Sequence, residues 1–164
     1  MKYEYINDYQ VQPENYADLD WSGANGFCFD EEGRVCIVWE KKKGYWTLPG
    51  GGREGGENPE ETFVREVKEE AQAEAENIEY FHCVYAKCFD ENDVEVKVSE
   101  NRICFRYICK LKNIQEFVPN KNGHEIDERK FVNLDELPNY ITWLKDSENG
   151  KESFELLREL VDQI

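Results

Sequence analysis

The sequence predicts an α/β protein in which helices pack on a β-sheet, and three observations carry that prediction. Short β-branched and aromatic runs alternate along the chain with segments of helix-forming composition. The length, 164 residues, suits one domain with one core. Hydrophobic residues make up 40% and aromatics 13%, enough to fill that core and far from the low-hydrophobicity signature of disorder.

Residues 1–22 are acidic and Tyr-rich (Tyr3, Tyr5, Tyr9, Tyr16) and read as an extension that packs on the domain or on a second subunit, as in a homodimer. The domain proper is expected over residues 23–164. "GANGFCFD", "RVCIVWE" and "YWTLP" read as strands, the first two joined as a hairpin through "DEEGR" with Gly33 in the turn. From Pro59 to about Ala71 the composition turns helical. Asn58 suits the N-cap, Pro59 the first helical position, and Glu61 completes a capping-box pattern. Phe63, Val67 and Ala71 recur at i, i+4 and i+8, which gives this helix one apolar side for the core. "IEYFHCVYAKCF" and "RICFRYICKL" read as longer strands around a polar connection that holds an extra short strand, and "RKFVNL" as another. "DELPNYITWLK" and "KESFELLRELVDQI" read as helices, the latter with Phe154, Leu157, Leu160, Val161 and Ile164 on one stripe.

The net charge is −16, from 36 acidic and 20 basic residues, so a nucleic-acid polymer would be repelled rather than steered in. A small anionic substrate remains compatible with this charge where divalent cations mask it locally. The start "MKYEYINDYQ" lacks a basic region followed by an apolar stretch, and no run is long enough to span a membrane, so a cytoplasmic location without membrane partners is expected. Six cysteines lie in apolar or alternating stretches without CxxC spacing. They read as reduced and mostly buried, a zinc site with His82 or His124 being the sharper alternative.

The densest charge follows the glycines. "GGGREGGENPEETFVREVKEEAQAEA", residues 50–75, places Glu66, Glu69 and Glu70 at i, i+3 and i+4, a spacing at which like charges on a helix repel. Such a face is commonly solvated. Directly after a glycine-rich loop, however, it also suits a hard divalent cation, which takes oxygen ligands from one or two carboxylates and completes its shell with water and substrate phosphate. The glycines let a backbone carbonyl or amide approach a ligand closely.

This segment resembles the Nudix hydrolase box: Gly51, Glu57, Arg65, Glu66, Val67, Glu69 and Glu70 fall in its register. The flanking "YWTLPGG" and "EIDERKFVNLDEL" also resemble that family, so the likeness spans residues 23–160. One position departs: Gln72 stands where the pattern has Gly, at the place where a helix closes in the left-handed conformation. Either the helix runs on a turn or Gln72 takes the strain, at about 1 kcal/mol.

The resemblance implies an α/β/α sandwich with a mixed central sheet. It implies hydrolysis of a diphosphate linkage in a nucleotide or nucleoside diphosphate derivative by water attack on phosphorus. Glu66, Glu69 and Glu70 would ligate Mg²⁺ or Mn²⁺ with a carbonyl near Gly50 or Gly51, and Glu57 and Arg65 would brace loop against helix. The general base is Glu69 in first place, with Glu125 as a further ligand or base. Arg53, Gly51, Gly52 and Trp46 are the substrate-side candidates. Two rivals stay open: a nucleotide-binding sensor that has lost catalysis, and a plain acidic surface.

Overall fold

The computed structural model describes residues 2–96, 103–123 and 125–162. Its strands are β1 (Lys2–Asp8), β2 (Trp21–Phe29), β3 (Val35–Glu40), β4 (Tyr45–Thr47), β5 (Gly50–Gly52), β6 (Glu74–Phe89), β7 (Glu95–Val96), β8 (Ile103–Lys112) and β9 (Ile126–Val132). They form one mixed sheet in the order β1-β6-β8-β2-β3-β4, with β5 on β2, β7 on β6 and β9 on β3. The β2–β8 pairing is parallel and the others are antiparallel. Helices α1 (Pro59–Glu66), α2 (Leu137–Tyr140), α3 (Trp143–Asp146) and α4 (Glu148–Asp162) cover it.

The period-two alternation of the central strands sends side chains into two cores. On one face Ala24, Cys28, Cys36, Phe105 and Tyr107 meet Phe63, Val67 and Ala71 of the helix at 59–71, the three residues whose spacing marks its apolar side. On the other, Phe27, Phe29, Val35 and Ile37 meet Leu137, Ile141, Leu144 and Leu157 of α2–α4. Helices therefore lie on both faces, giving the α/β/α arrangement.

Several elements differ from expectation. The β2–β3 hairpin is paired only beside its turn, Phe29 with Val35, because β2 diverges to β5 and β8 while β3 pairs with β4 and β9. The helix expected over 135–145 is broken at Ile141, whose φ of −104° and ψ of 84° end α2 and turn its side chain into the core. Leu160 is exposed, whereas Phe154, Leu157 and Val161 pack inward; Ile164 lies outside the described residues. Five of the six cysteines are buried and Cys104 is partly so, and burial pushes the Cys36 thiol up to about 12.

The N-terminal stretch is built into the same sheet. β1 pairs with β6 along its whole length, from Lys2 opposite Phe89 to Asp8 opposite Cys83. Asn7 donates to the Asn149 carbonyl (2.8 Å) and to Ser153 Oγ (3.1 Å), and the Tyr9 hydroxyl donates to Glu152 (2.5 Å), so β1 also fastens α4. No helix among the described residues is long and apolar enough to cross a membrane.

Candidate active site

The site begins with a helix start whose every part is local. Asn58 Oδ1 accepts from Glu61 N (2.8 Å), Glu61 Oε1 accepts from Asn58 N (3.1 Å), and Pro59 opens α1. Upstream, Gly50–Gly52 is a strand rather than a loop, paired with Asn25, Ala24 and Gly23 of β2. Glycine at 51 has a specific cause: a Cβ there would lie 2.6 Å from the Glu66 carboxyl carbon and within 2.8 Å of its oxygens. The carboxylate of α1 is packed directly on the glycine strand.

Arg65 supplies the compensation that the crowded glutamates require. Its Nε and Nη2 grip Glu57 (2.7 and 3.0 Å), its Nη1 reaches Glu66 (2.8 Å) and Glu69 (3.0 Å), and Nη2 also donates to the Gly52 carbonyl (2.8 Å). Glu57 accepts further from Thr62 Oγ1 and Glu54 N, both at 2.9 Å. The Arg65 hydrogen bonds above all hold the Glu57 carboxyl down at about 2. The bracing pair expected between loop and helix is therefore a hub that also organises two of the box carboxylates.

Those carboxylates do not form a solvated face. Glu66 is 5% exposed and Glu70 7%, while the Glu69 side chain is 27% exposed. Glu70 accepts from Gly50 N at 2.9 Å, yet its carboxyl is pushed up to about 8, first by burial and then by the fields of Glu66 and Glu40. Lys43 opposes this shift, so the β3–β4 turn borders the site. Oxygen donors of this kind fit a hard divalent cation, and the unfavourable charge on Glu70 is what a cation would relieve. Arg65 holds the carboxylates of Glu66 and Glu69, and among the described residues no three acidic, His or Cys side chains gather around a common point. Holding an ion would require those carboxylates to turn from Arg65.

The helix does not continue as a plain α-helix to Ala71. Residues Val67–Ala71 form a π-turn, a widening often found at functional sites, and Val67, Glu70 and Ala71 within it are buried. Gln72 then takes the left-handed conformation (φ 54°, ψ 49°), resolving the two alternatives at the departure from the box pattern in favour of strain at Gln72.

The remaining predicted residues are distributed differently. Arg53 is exposed, stacks over Trp21 at 5.1 Å and lines an open 350 Å³ cleft with Tyr16 and residues 54–57, next to the Arg65–Glu57 pair. Trp46 packs edge-on against Trp39 (5.5 Å) and Tyr140 (6.0 Å) and belongs to the α2–α4 side of the sheet, away from the box helix. Glu125 lies exposed in a separate open cleft of 440 Å³ with Lys41, Lys42, Asn120 and Gly123, its carbonyl accepting from Lys41 N at 2.9 Å. His124 lies outside the described residues. His82 is buried and bonded to Ser153 Oγ and the Cys83 carbonyl, and burial pulls its pKa down to about 4.

Two contributors escaped the sequence. Glu40 acts on Glu70 from the end of β3, and nothing local marks it apart from other strand-end acids. Arg129 of β9 donates to the Ala71 carbonyl at 2.8 Å, a long-range contact with no sequence trace, since Arg129 lies among the charged residues Asp127, Glu128 and Lys130 of its strand.

Comparison with known proteins agrees with this fold. The NUDIX domain model matches residues 21–155. A stretch of 42 residues is 50% identical to the putative 8-oxo-dGTP diphosphatase 3 of Mycobacterium tuberculosis, covering 26% of this chain and 19% of that protein. The match thus spans about a fifth of that relative's length. The fold is similar to that of a C. elegans Ap4A hydrolase (16% identity, TM-score 0.59, 87% of this chain and 99% of that one). It is similar also to the Bacillus subtilis pyrophosphohydrolase BsRppH (17%, TM-score 0.58, 88% and 91%). A third structure, from work on MutT of Aliivibrio salmonicida and Vibrio cholerae, aligns at 19% identity and TM-score 0.54 over 81% of this chain and 94% of that one.

Proposed function

The chain belongs to the NUDIX family, and on that footing we propose that it hydrolyses a diphosphate linkage in a nucleotide or nucleoside diphosphate derivative, with Mg²⁺ or Mn²⁺ as cofactor. The observation that carries this is the burial of both Glu66 and Glu70 against the glycine strand, with Arg65 tying Glu66 to the Gly52 carbonyl of that strand. A plain acidic surface has no reason to bury carboxylates at such a cost.

In this reading Glu66, Glu69 and Glu70 hold the cation, with backbone oxygen from the glycine strand. When bound, the cation neutralises diphosphate charge and acidifies water. Arg65, gripped by Glu57, keeps the helix in register with Gly52 and limits where Glu66 and Glu69 can turn. Glu69, the most accessible of the three, accepts the proton of the attacking water; the new oxygen bonds to phosphorus as the bond to the bridging oxygen breaks. Arg53, at the rim beside Gly51 and Gly52, meets substrate phosphate. The relatives' names speak of oxidised nucleoside triphosphates and dinucleoside polyphosphates, which makes these the first compounds to try.

The test is phosphate or pyrophosphate release from nucleoside triphosphates (8-oxo-dGTP among them), ADP-ribose-like sugar nucleotides, dinucleoside polyphosphates and NADH, with Mg²⁺ or Mn²⁺. Glu69→Gln, run alongside, should lower kcat by about 10²–10⁴-fold with the fold retained. Unchanged turnover would remove Glu69 from the chemistry. Silence of the wild type across the panel, with metal still bound, would favour a nucleotide sensor instead.

A further inference from the structure

Gln72 does more than end the helix. A glycine makes the left-handed bend without strain, so the bend itself needs no side chain. The side chain is nonetheless buried, at 5% exposure, and both ends of its amide are engaged. Nε2 donates to the Val118 carbonyl (2.7 Å) and Oε1 accepts from Val118 N (2.9 Å), while the Gln72 carbonyl accepts from Gln115 N (2.9 Å). Arg129 closes the same junction: Nη1 donates to the Ala71 carbonyl and Nη2 to the Gln115 carbonyl, each at 2.8 Å, and the guanidinium stacks on Phe117 and Phe131.

The segment so fastened leads directly to the second cleft. Beyond Val118, Asn120 N donates to the Ile126 carbonyl (2.8 Å) and Lys41 N to the Glu125 carbonyl (2.9 Å). Asn120, Gly123 and Glu125 then line that cleft with Lys41 and Lys42, which set a positive rim on a strongly acidic protein. We propose that Gln72 is a positioning residue: its amide clamps the 113–120 loop to the end of the box helix and thereby holds the Lys41–Lys42–Glu125 cleft in register with the box carboxylates, as a phosphate-facing extension of the site. A glycine at 72 would keep the turn and lose the clamp. The kinetic consequence rests on the hydrolase reading above; the clamp does not.

Hydrogen exchange on the full metal-free chain tests the clamp, using Gln72→Gly and the near-isosteric Gln72→Glu, which loses the Nε2 donor. In both variants the Lys41 and Asn120 amides, remote from position 72 in sequence, should exchange about tenfold faster or more, while Cys83 and Phe105 on the β6–β8 ladder keep wild-type rates. With the panel compound that the wild type hydrolyses, KM should rise about tenfold, kcat should change little, and Glu125→Gln added to Gln72→Gly should contribute less than it does alone. Wild-type exchange at Lys41 and Asn120 in both variants, or an unchanged KM, would overturn the proposal. A wild type that hydrolyses nothing would instead defeat the hydrolase reading, and the exchange rates would still decide the clamp.

Discussion

Glu70 and Glu57 stand at opposite ends of carboxylate behaviour. Glu57, wrapped by Arg65, stays ionised down to about pH 2. Glu70, with one backbone donor and two acidic neighbours, rises from 4.5 in an open chain to about 8 in the fold. Folding of the metal-free protein therefore takes up a proton at Glu70. The stability tied to that proton is complete below pH 4.5 and is lost as pH climbs towards 8. In a metal chelator, the melting temperature should fall over this window, and Glu70→Gln should flatten the fall and raise Tm at pH 8 by about 3 °C or more. Calorimetry from pH 5 to 8 checks this, and an equally steep slope in the variant would assign the titration elsewhere. The box residues were legible in the sequence because their spacing is dense and local. Their burial was not, since it depends on a glycine strand folding back against the helix, and the periodicity of Glu66, Glu69 and Glu70 reads the same whether that face meets water or protein.

At the level of elements, the capping box of α1 and the stripe of Phe63, Val67 and Ala71 could be read directly, because cap and stripe are decided within a few residues. Three consecutive glycines carry no strand propensity of their own; β5 is a strand because β2 offers it a ladder. The π-turn likewise answers to tertiary contacts, Glu70 with Gly50 and Ala71 with Arg129. The close approach of β5 and α1 makes a sharp prediction. Gly51→Ala drives a methyl into the Glu66 carboxylate and should cost about 1–3 kcal/mol while lowering turnover. Gly55→Ala, where a Cβ meets nothing within 4 Å, is the matched packing control and should leave stability near wild type. Urea unfolding and steady-state rates compare the two, and equal behaviour would show that the carboxylate yields freely.

For the whole molecule, the family match begins at residue 21, yet the fold does not. β1 covers the outer edge of β6 and fastens α4 through Asn7 and Tyr9. A fragment of residues 21–164 should therefore expose a long strand edge, melt about 10 °C or more below the full chain and self-associate in size-exclusion chromatography. A monomeric fragment with the full chain's Tm would reduce β1 to an ornament. That the extension joins the sheet was beyond the sequence, where Tyr3, Tyr5 and Tyr9 serve a domain surface or a subunit contact equally well. The parallel β2–β8 pair has a consequence of another kind. Ser22 and Ile103 are bonded across 81 residues of chain, so the platform beneath the glutamates closes only after most of the sequence exists. Local turns, the capped helix and the hairpins can form first, but long-range strand pairing is slow because the loop must close before any contact rewards it. During synthesis the box thus leaves the ribosome well before its support does, and the platform beneath the glutamates is completed late in folding.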